Sequence, residues 1–202
     1  LQNGSELWLD EMNFIEQVAL PQKPVAAQLP FSFRYGDKCS DELLTSWKFR
    51  QTRKNIDKQR VQITQTYTDP QTGLVLRCEI IEYKDFPTVE WTLYFKNNGK
   101  EDTPILSEIH SIDTILQRKG TNEFLLHHFT GAPSGRCDYA PHELQMNSAT
   151  LKYFSTAGGR PTNTNLPNFN VEWDDGGVIA VIGWSGQWNA FFMRDDQDQM
   201  RI

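Results

Sequence analysis

Cysteine is scarce. Cys39, Cys78 and Cys137 make an odd count at wide spacing, and no pair has the short CxxC spacing of a zinc or redox site. One disulfide beside a free thiol is compatible with this count, but three buried thiols is the arrangement expected. Long apolar runs are missing too. None approaches the ~18–20 residues that a membrane-spanning helix requires. Leu1-Gln-Asn-Gly has neither the basic start nor the apolar stretch of a signal peptide. Positive charge is in deficit: 20 Lys and Arg stand against 26 Asp and Glu, a net −6 with a pI of about 5.2. That balance argues against a nucleic-acid or anionic-membrane surface. No internal repeat, low-complexity tract or convincing amphipathic helix is present.

Two-residue alternation is abundant. Phe31–Tyr35 alternates aromatic with polar residues, as a strand with one buried face does. Leu43–Lys54 sets Trp47 and Phe49 against Lys48 and Arg50. Val61–Tyr67 alternates cleanly and is rich in β-branched residues. Leu74–Tyr83 reads as a further strand. Thr88–Lys96 places Val89, Trp91, Leu93 and Phe95 on one face. Asn97-Asn98-Gly99-Lys100 is a strong hairpin signal. Ile105–Leu116, Phe124–Phe129 and Leu144–Phe154 supply more strands. Ten or more strands spaced roughly 10–14 residues apart predict a large antiparallel all-β sandwich. Aromatic residues at 12% and hydrophobic residues at 38% support a packed core.

Residues 1–29 read as an N-terminal extension or first strand. Glu6–Met12 is a strand or a short helical turn, and Pro21 and Pro24 make Gln17–Gln28 an extended connector. Residues 30–202 then form a single sandwich domain. Its expected centre is the stretch Asn170–Met193, read as a double hairpin. Asp175-Gly176 makes one turn and Ser185-Gly186 the other, with Val178–Gly183 between them buried on both faces. Two long irregular loops, Gly131–Pro141 and Thr156–Asn168, break the rhythm, and loops of that length inside a compact domain are often functional.

The residues that bear chemistry form few recognisable constellations. Asp174-Asp175 is the obvious carboxylate pair, and adjacent acids in a hairpin turn shape the turn. His127 and His128 point to opposite faces of a strand, so they do not share a metal by simple strand geometry. Ser134-Gly135 lacks the Gly-x-Ser-x-Gly elbow. Gly158-Gly159-Arg160 is too short for a phosphate loop. A sugar-contacting surface is what remains. Flat aromatic faces with polar groups around them recognise carbohydrate, and Trp184, Trp188 and Tyr139 lie near turns or loops. Arg136, Asp138, Arg160 and Asn163 stand by to supply hydrogen bonds. The candidate substrate-binding set is therefore Arg136, Asp138, Tyr139, Arg160, Trp184 and Trp188. No catalytic residue, metal ligand or cofactor is expected.

The string Gly177-Val-Ile-Ala-Val-Ile-Gly-Trp-Ser-Gly-Gln-Trp188 resembles the end of the N-terminal β-domain in family 36 glycoside hydrolases, the α-galactosidase or melibiase group. In that family the hairpin precedes a (β/α)8 catalytic barrel. The resemblance implies a galactose-mutarotase-like supersandwich whose loops help shape a pocket belonging to the barrel. It implies that the catalytic nucleophile lies on a barrel strand, and this chain has no β/α alternation to build a barrel. Truncation before the barrel is the expectation. The partners expected are an α-galactoside within the full enzyme, the catalytic barrel and a second copy of the chain, with neither nucleic acid nor membrane. The expected location is secreted or periplasmic, with the cytoplasm kept open. Two other functions stay in view: an independent carbohydrate-binding module, and an envelope interaction protein with no sugar role.

Overall fold

The computed structural model describes residues 1–11, 29–118, 120–174 and 176–202. The expected Gln17–Gln28 connector and Asp175 lie outside the described residues. The contacts divide the chain into two compact units, residues 1–11 and 29–114 on one side and residues 115–202 on the other.

The first unit contains β1 (Glu6–Glu11), β2 (Ser32–Tyr35), β3 (Lys38–Cys39), α1 (Ser40–Leu44), β4 (Lys48–Asn55), β5 (Arg60–Thr68), β6 (Leu74–Tyr83), β7 (Thr88–Asn97) and β8 (Leu106–His110). One antiparallel sheet has the order β1-β7-β6-β5-β4, the other β3-β2-β8. Strict alternation does the sorting. Ile63, Tyr67, Leu76, Ile80, Leu93 and Phe95 are buried, while their sequence neighbours on the other face are half-buried or, at Lys96, exposed. Phe33 of the small sheet meets Phe95 of the large one edge-on, with ring centroids 5.2 Å apart. Each such ring contributes about 1.5–3 kcal/mol by leaving water.

Two expectations are corrected here. Leu43 and Leu44 belong to the one-turn α1, so the strand begins only at Lys48. Asn97–Lys100 is no hairpin: β7 leads to β8, which pairs with β2 in the other sheet. The turn chemistry is real but serves a corner. The buried Asn97 side chain donates to Leu1 O (3.1 Å) and Glu101 O (2.8 Å) and accepts from Gly99 N (2.8 Å).

The second unit contains β9 (Ile115–Gln117), β10 (Phe124–Phe129), β11 (Pro141–Met146), β12 (Leu151–Ser155), β13 (Asn168–Trp173), β14 (Gly176–Val181), β15 (Asn189–Arg194) and β16 (Gln199–Arg201). Its sheets have the orders β11-β10-β13-β14 and β12-β15-β16-β9. They face each other across Phe154, Phe169 and Phe192, whose ring centroids lie 4.9–5.7 Å apart. Antiparallel sandwich packing therefore recurs in each unit, and the all-β class is as read from the alternation.

The expected double hairpin is half right. β13 and β14 pair, with Trp173 opposite Gly176. β15 does not pair with β14 but with β12 and β16 in the facing sheet, so Ser185-Gly186 belongs to a crossover. β14 is a sheet edge and leaves Ile179 exposed. The expected strand Leu144–Phe154 is two strands, β11 and β12, in different sheets. None of the three cysteines is in a disulfide. Only Cys78 is buried, which pushes its thiol pKa up; Cys39 is half-buried and Cys137 exposed. Among the described residues, no helix is long and apolar enough to cross a membrane.

Candidate functional site

The two long loops meet at one end of the second unit. Gly131 N donates to Thr164 O (2.8 Å) and Ala132 N to Thr162 O (2.7 Å). The approach is close enough that a Cβ on Gly131 would stand 2.2 Å from Thr162 O, so only glycine fits there. Trp188 ties the same end to the core. Its indole N–H donates to Pro161 O (2.7 Å), its backbone exchanges bonds with Thr156, and its ring meets Phe169 at 90°.

The six candidate sugar-contacting residues divide accordingly. Trp188 is buried and its ring is spent on the core. Asp138 accepts from Gly135 N (2.8 Å), which shapes its own loop. Tyr139, at a left-handed φ of 61°, is 62% exposed, and Arg136 and Arg160 are exposed. Trp184 is 38% exposed, its indole lying against Gly186. The structure thus brings Arg136, Asp138, Tyr139 and the Arg160 loop to one end, with Trp184 on the β14–β15 connection.

The cleft lies at the other end of β10. It has a volume of about 770 Å3 and is lined by Asn122, Glu123, Gln145, Glu172, Trp173 and Asp174, among others. That is the size range of small-ligand sites. Its floor is the outward face of a sheet row in which Gln145 and Glu172 flank Leu125. Trp173 packs edge-on against Phe124, with centroids 5.6 Å apart.

Two carboxylates in the cleft, Asp174 and Glu123, are hydrogen-bonded, and a third, Glu172, lies beside His127. Asp174 accepts from Asn122 N (3.2 Å), Thr121 N (2.8 Å) and the Asn122 side-chain amide. The Asn122 and Thr121 backbone N–H groups hold its pKa below the usual carboxylate value. Glu123 accepts from Arg194 Nε (3.0 Å) and Arg118 Nη2 (3.3 Å). Arg194 is 2% exposed, with Asp195 and Asp198 taking its remaining N–H groups and Phe124 beneath its guanidinium. Glu172 Oε2 lies 3.3 Å from His127 Nε2. Chemically, this is a set of oxygen acceptors beside an indole, an arrangement that accepts hydrogen bonds from hydroxyl groups.

Sequence reasoning missed this cleft, though one signal was present. Phe192 and Arg194 share a parity in β15, so Arg194 had to face inward and needed acidic partners. His127 and His128 do point to opposite faces, as expected. His128 stacks on His142, its cross-strand partner, at 5.0 Å and 21°. Burial first, then the charges of His142 and Lys152, lower its pKa from 6.5 to about 4. In the first unit, Cys39 Sγ and the Asp41 and Glu42 carboxylates lie within 4.8 Å of one another. Arg34 Nη1 already donates to that sulfur (3.5 Å), which sets a cation where a metal would sit.

No protein-family model matches the chain, and no curated protein matches it in sequence. Comparison with solved structures does find a likeness. In fold, the chain is similar to part of a glycoside hydrolase. The GH36 alpha-galactosidase AgaA of Geobacillus stearothermophilus, as a variant in complex with 1-deoxygalactonojirimycin, matches with a TM-score of 0.55 and 11% identity, over 98% of this chain and 23% of that one. A second AgaA variant, in complex with stachyose, matches with a TM-score of 0.54 and 10% identity, over 94% of this chain and 26% of that one. This chain spans about a quarter of the length of those proteins. At such identity the likeness is one of fold.

Proposed function

We propose that this chain is a non-catalytic β-domain of a larger glycoside hydrolase of the α-galactosidase type. It docks on the catalytic domain and helps to shape a galactoside pocket there. One observation carries the docking role: the outer face of the sheet β12-β15-β16-β9. Leu151 and Tyr153 on β12, Phe191 and Met193 on β15, and Ile115 on β9 lie 45–61% exposed. The register makes one patch of them. Tyr153 pairs with Phe191, and Leu151, Met193, Arg201 and Ile115 form a row. A contiguous apolar patch on a polar chain is a surface that favours a partner. The fold likeness to a quarter of a galactosidase supports the catalytic domain as that partner. The hydrogen bonds that hold Asp174 and Glu123 fit a structural role for those two carboxylates better than proton transfer.

The test is hydrolysis of a nitrophenyl α-galactoside by the purified 202-residue chain. The expected result is no turnover above buffer. Turnover that is lost in Glu172→Gln or Glu123→Gln would overturn the proposal.

A second reading, an independent carbohydrate-binding module, is favoured by the Tyr153–Phe191 ring pair, with centroids 4.8 Å apart on an exposed face. Titration with galacto-oligosaccharides separates the two. Heat of binding that disappears in Phe191→Ala supports the module, and a flat titration supports the docking role.

A further inference from the structure

The outward face of the first unit's large sheet carries a line of cations that the domain role does not use. β4 contains Lys48, Arg50, Arg53 and Lys54 and no acid, in a chain whose net charge is −6. Phe49 packs against the buried Tyr67, so it marks the inner face. Lys48, Arg50, Thr52 and Lys54 therefore point outward, with second neighbours about 7 Å apart. Arg53, on the other face, pairs with Glu82 at 2.8 Å. Lys48, Arg50 and Lys54 make no ion pair with any described residue. Opposite them in β5 stand Thr68, Thr66 and Gln62, with Thr64 opposite Thr52. Opposite charges across such pairs would stabilise the sheet. Here three cations face hydroxyls and an amide.

The next strand continues the polar surface. Arg77 follows Thr66 across the sheet, tied to Glu79 (3.0 Å) and lying over the Tyr94 ring (4.3 Å). Charge on an edge strand discourages strand-to-strand association, and β4 is an edge. That role needs cations anywhere along the edge. It does not account for a half-buried threonine row beside them. The acid on the neighbouring row, Glu79 opposite Thr64, is engaged by Arg77, so among the described residues the three cations are left to solvent or to a ligand. A protein partner normally brings an apolar centre to an interface, and this part of the face offers none. A nucleic acid would want exposed rings for its bases, and the β4–β5 part of the face offers none. A ligand with spaced anionic groups and many hydroxyls matches both the cations and the threonines.

We propose that the outward face of β4 and β5 binds an anionic polysaccharide, with Lys48, Arg50 and Lys54 taking its carboxylate or sulfate groups and Thr52, Thr64 and Thr66 its hydroxyls. The site is separate from the cleft and from the apolar face, and it does not depend on the galactosidase reading.

The test is binding of the whole 202-residue chain to polygalacturonate and to dextran sulfate at low salt, in two arms that separate carboxylate from sulfate ligands. Affinity for at least one should fall steeply as salt is raised. Lys48→Gln/Arg50→Gln/Lys54→Gln should weaken it at least tenfold with an unchanged melting temperature. Arg53→Gln, on the opposite face, should leave it unchanged. Should the triple variant melt early, Arg50→Gln alone should weaken binding about threefold. Four results would overturn the proposal: no binding to either polymer, equal binding by the triple variant, equal binding of neutral dextran, or equal binding of polyglutamate or an oligonucleotide.

Discussion

Arg194 is the residue on which the cleft end of the second unit rests. Its guanidinium is almost wholly buried, and it holds Glu123, Asp195 and Asp198 together. Its acidic partners are partly exposed and water can replace some of the lost bonds, so Arg194→Ala should cost about 1–3 kcal/mol in urea unfolding. Arg194→Lys should recover only part, because an ammonium cannot reproduce the planar fork. Gly120 acts beside it. It sits at φ +102°, and a Cβ there would lie 2.1 Å from Asp174 Oδ2. Gly120→Ala should therefore break the Asp174 bonds to Thr121 and Asn122 and speed the exchange of those two amides. His128 carries a pH dependence with a definite sign. Its pKa in the fold, about 4, lies below the ordinary 6.5, so the fold favours neutral imidazole. That contribution to stability is present above pH 6.5 and is lost as pH falls through 4. His142 and Lys152 face it and add like charge. In melting curves across that range, the wild type should lose more stability than His128→Gln. Equal losses would show that other groups carry the effect.

Individual strands were largely legible. Leu74–Tyr83 and Phe124–Phe129 stand where alternation puts them, because one buried face enforces a two-residue period. What alternation does not encode is the partner. β14 and β15 are adjacent in sequence and separated by turn residues, yet they belong to facing sheets. The same holds for β7 and β8 and for β11 and β12. A short polar loop can close a hairpin or cross between layers, and the choice depends on which core each strand's apolar face can reach. Phe169 shows what that packing contributes: it touches Phe154, Phe192 and Trp188 at once. Phe169→Ala should cost about 3–5 kcal/mol, read as a fall in the midpoint of denaturant unfolding.

At the scale of the whole molecule, the hairpin motif that suggested a glycoside hydrolase pointed to the fold that the solved galactosidases share with this chain. The candidate residues were less legible. Aromatic and polar residues in loops drew attention to Tyr139, Trp184 and Trp188, but burial is a tertiary property, and Trp188 turned inward. The cleft was hidden because Glu123, Glu172 and Arg194 come from segments far apart in sequence. The apolar outer face depends on which strands lie side by side, and alternation alone does not give that. It is visible in the register of β12 with β15, where four exposed apolar side chains stand side by side.

That face allows a direct test of the docking role. Met193→Cys places a thiol at its centre, and maleimide labelling, read by mass after digestion to separate it from Cys137, reports its accessibility. The rate would be compared between the 202-residue chain and the longer, barrel-containing polypeptide that the proposal assigns to it. The account predicts rapid labelling in the chain alone and at least tenfold slower labelling in the longer polypeptide, as a catalytic domain docked on this face would cover the thiol. Equal rates in the two would contradict it.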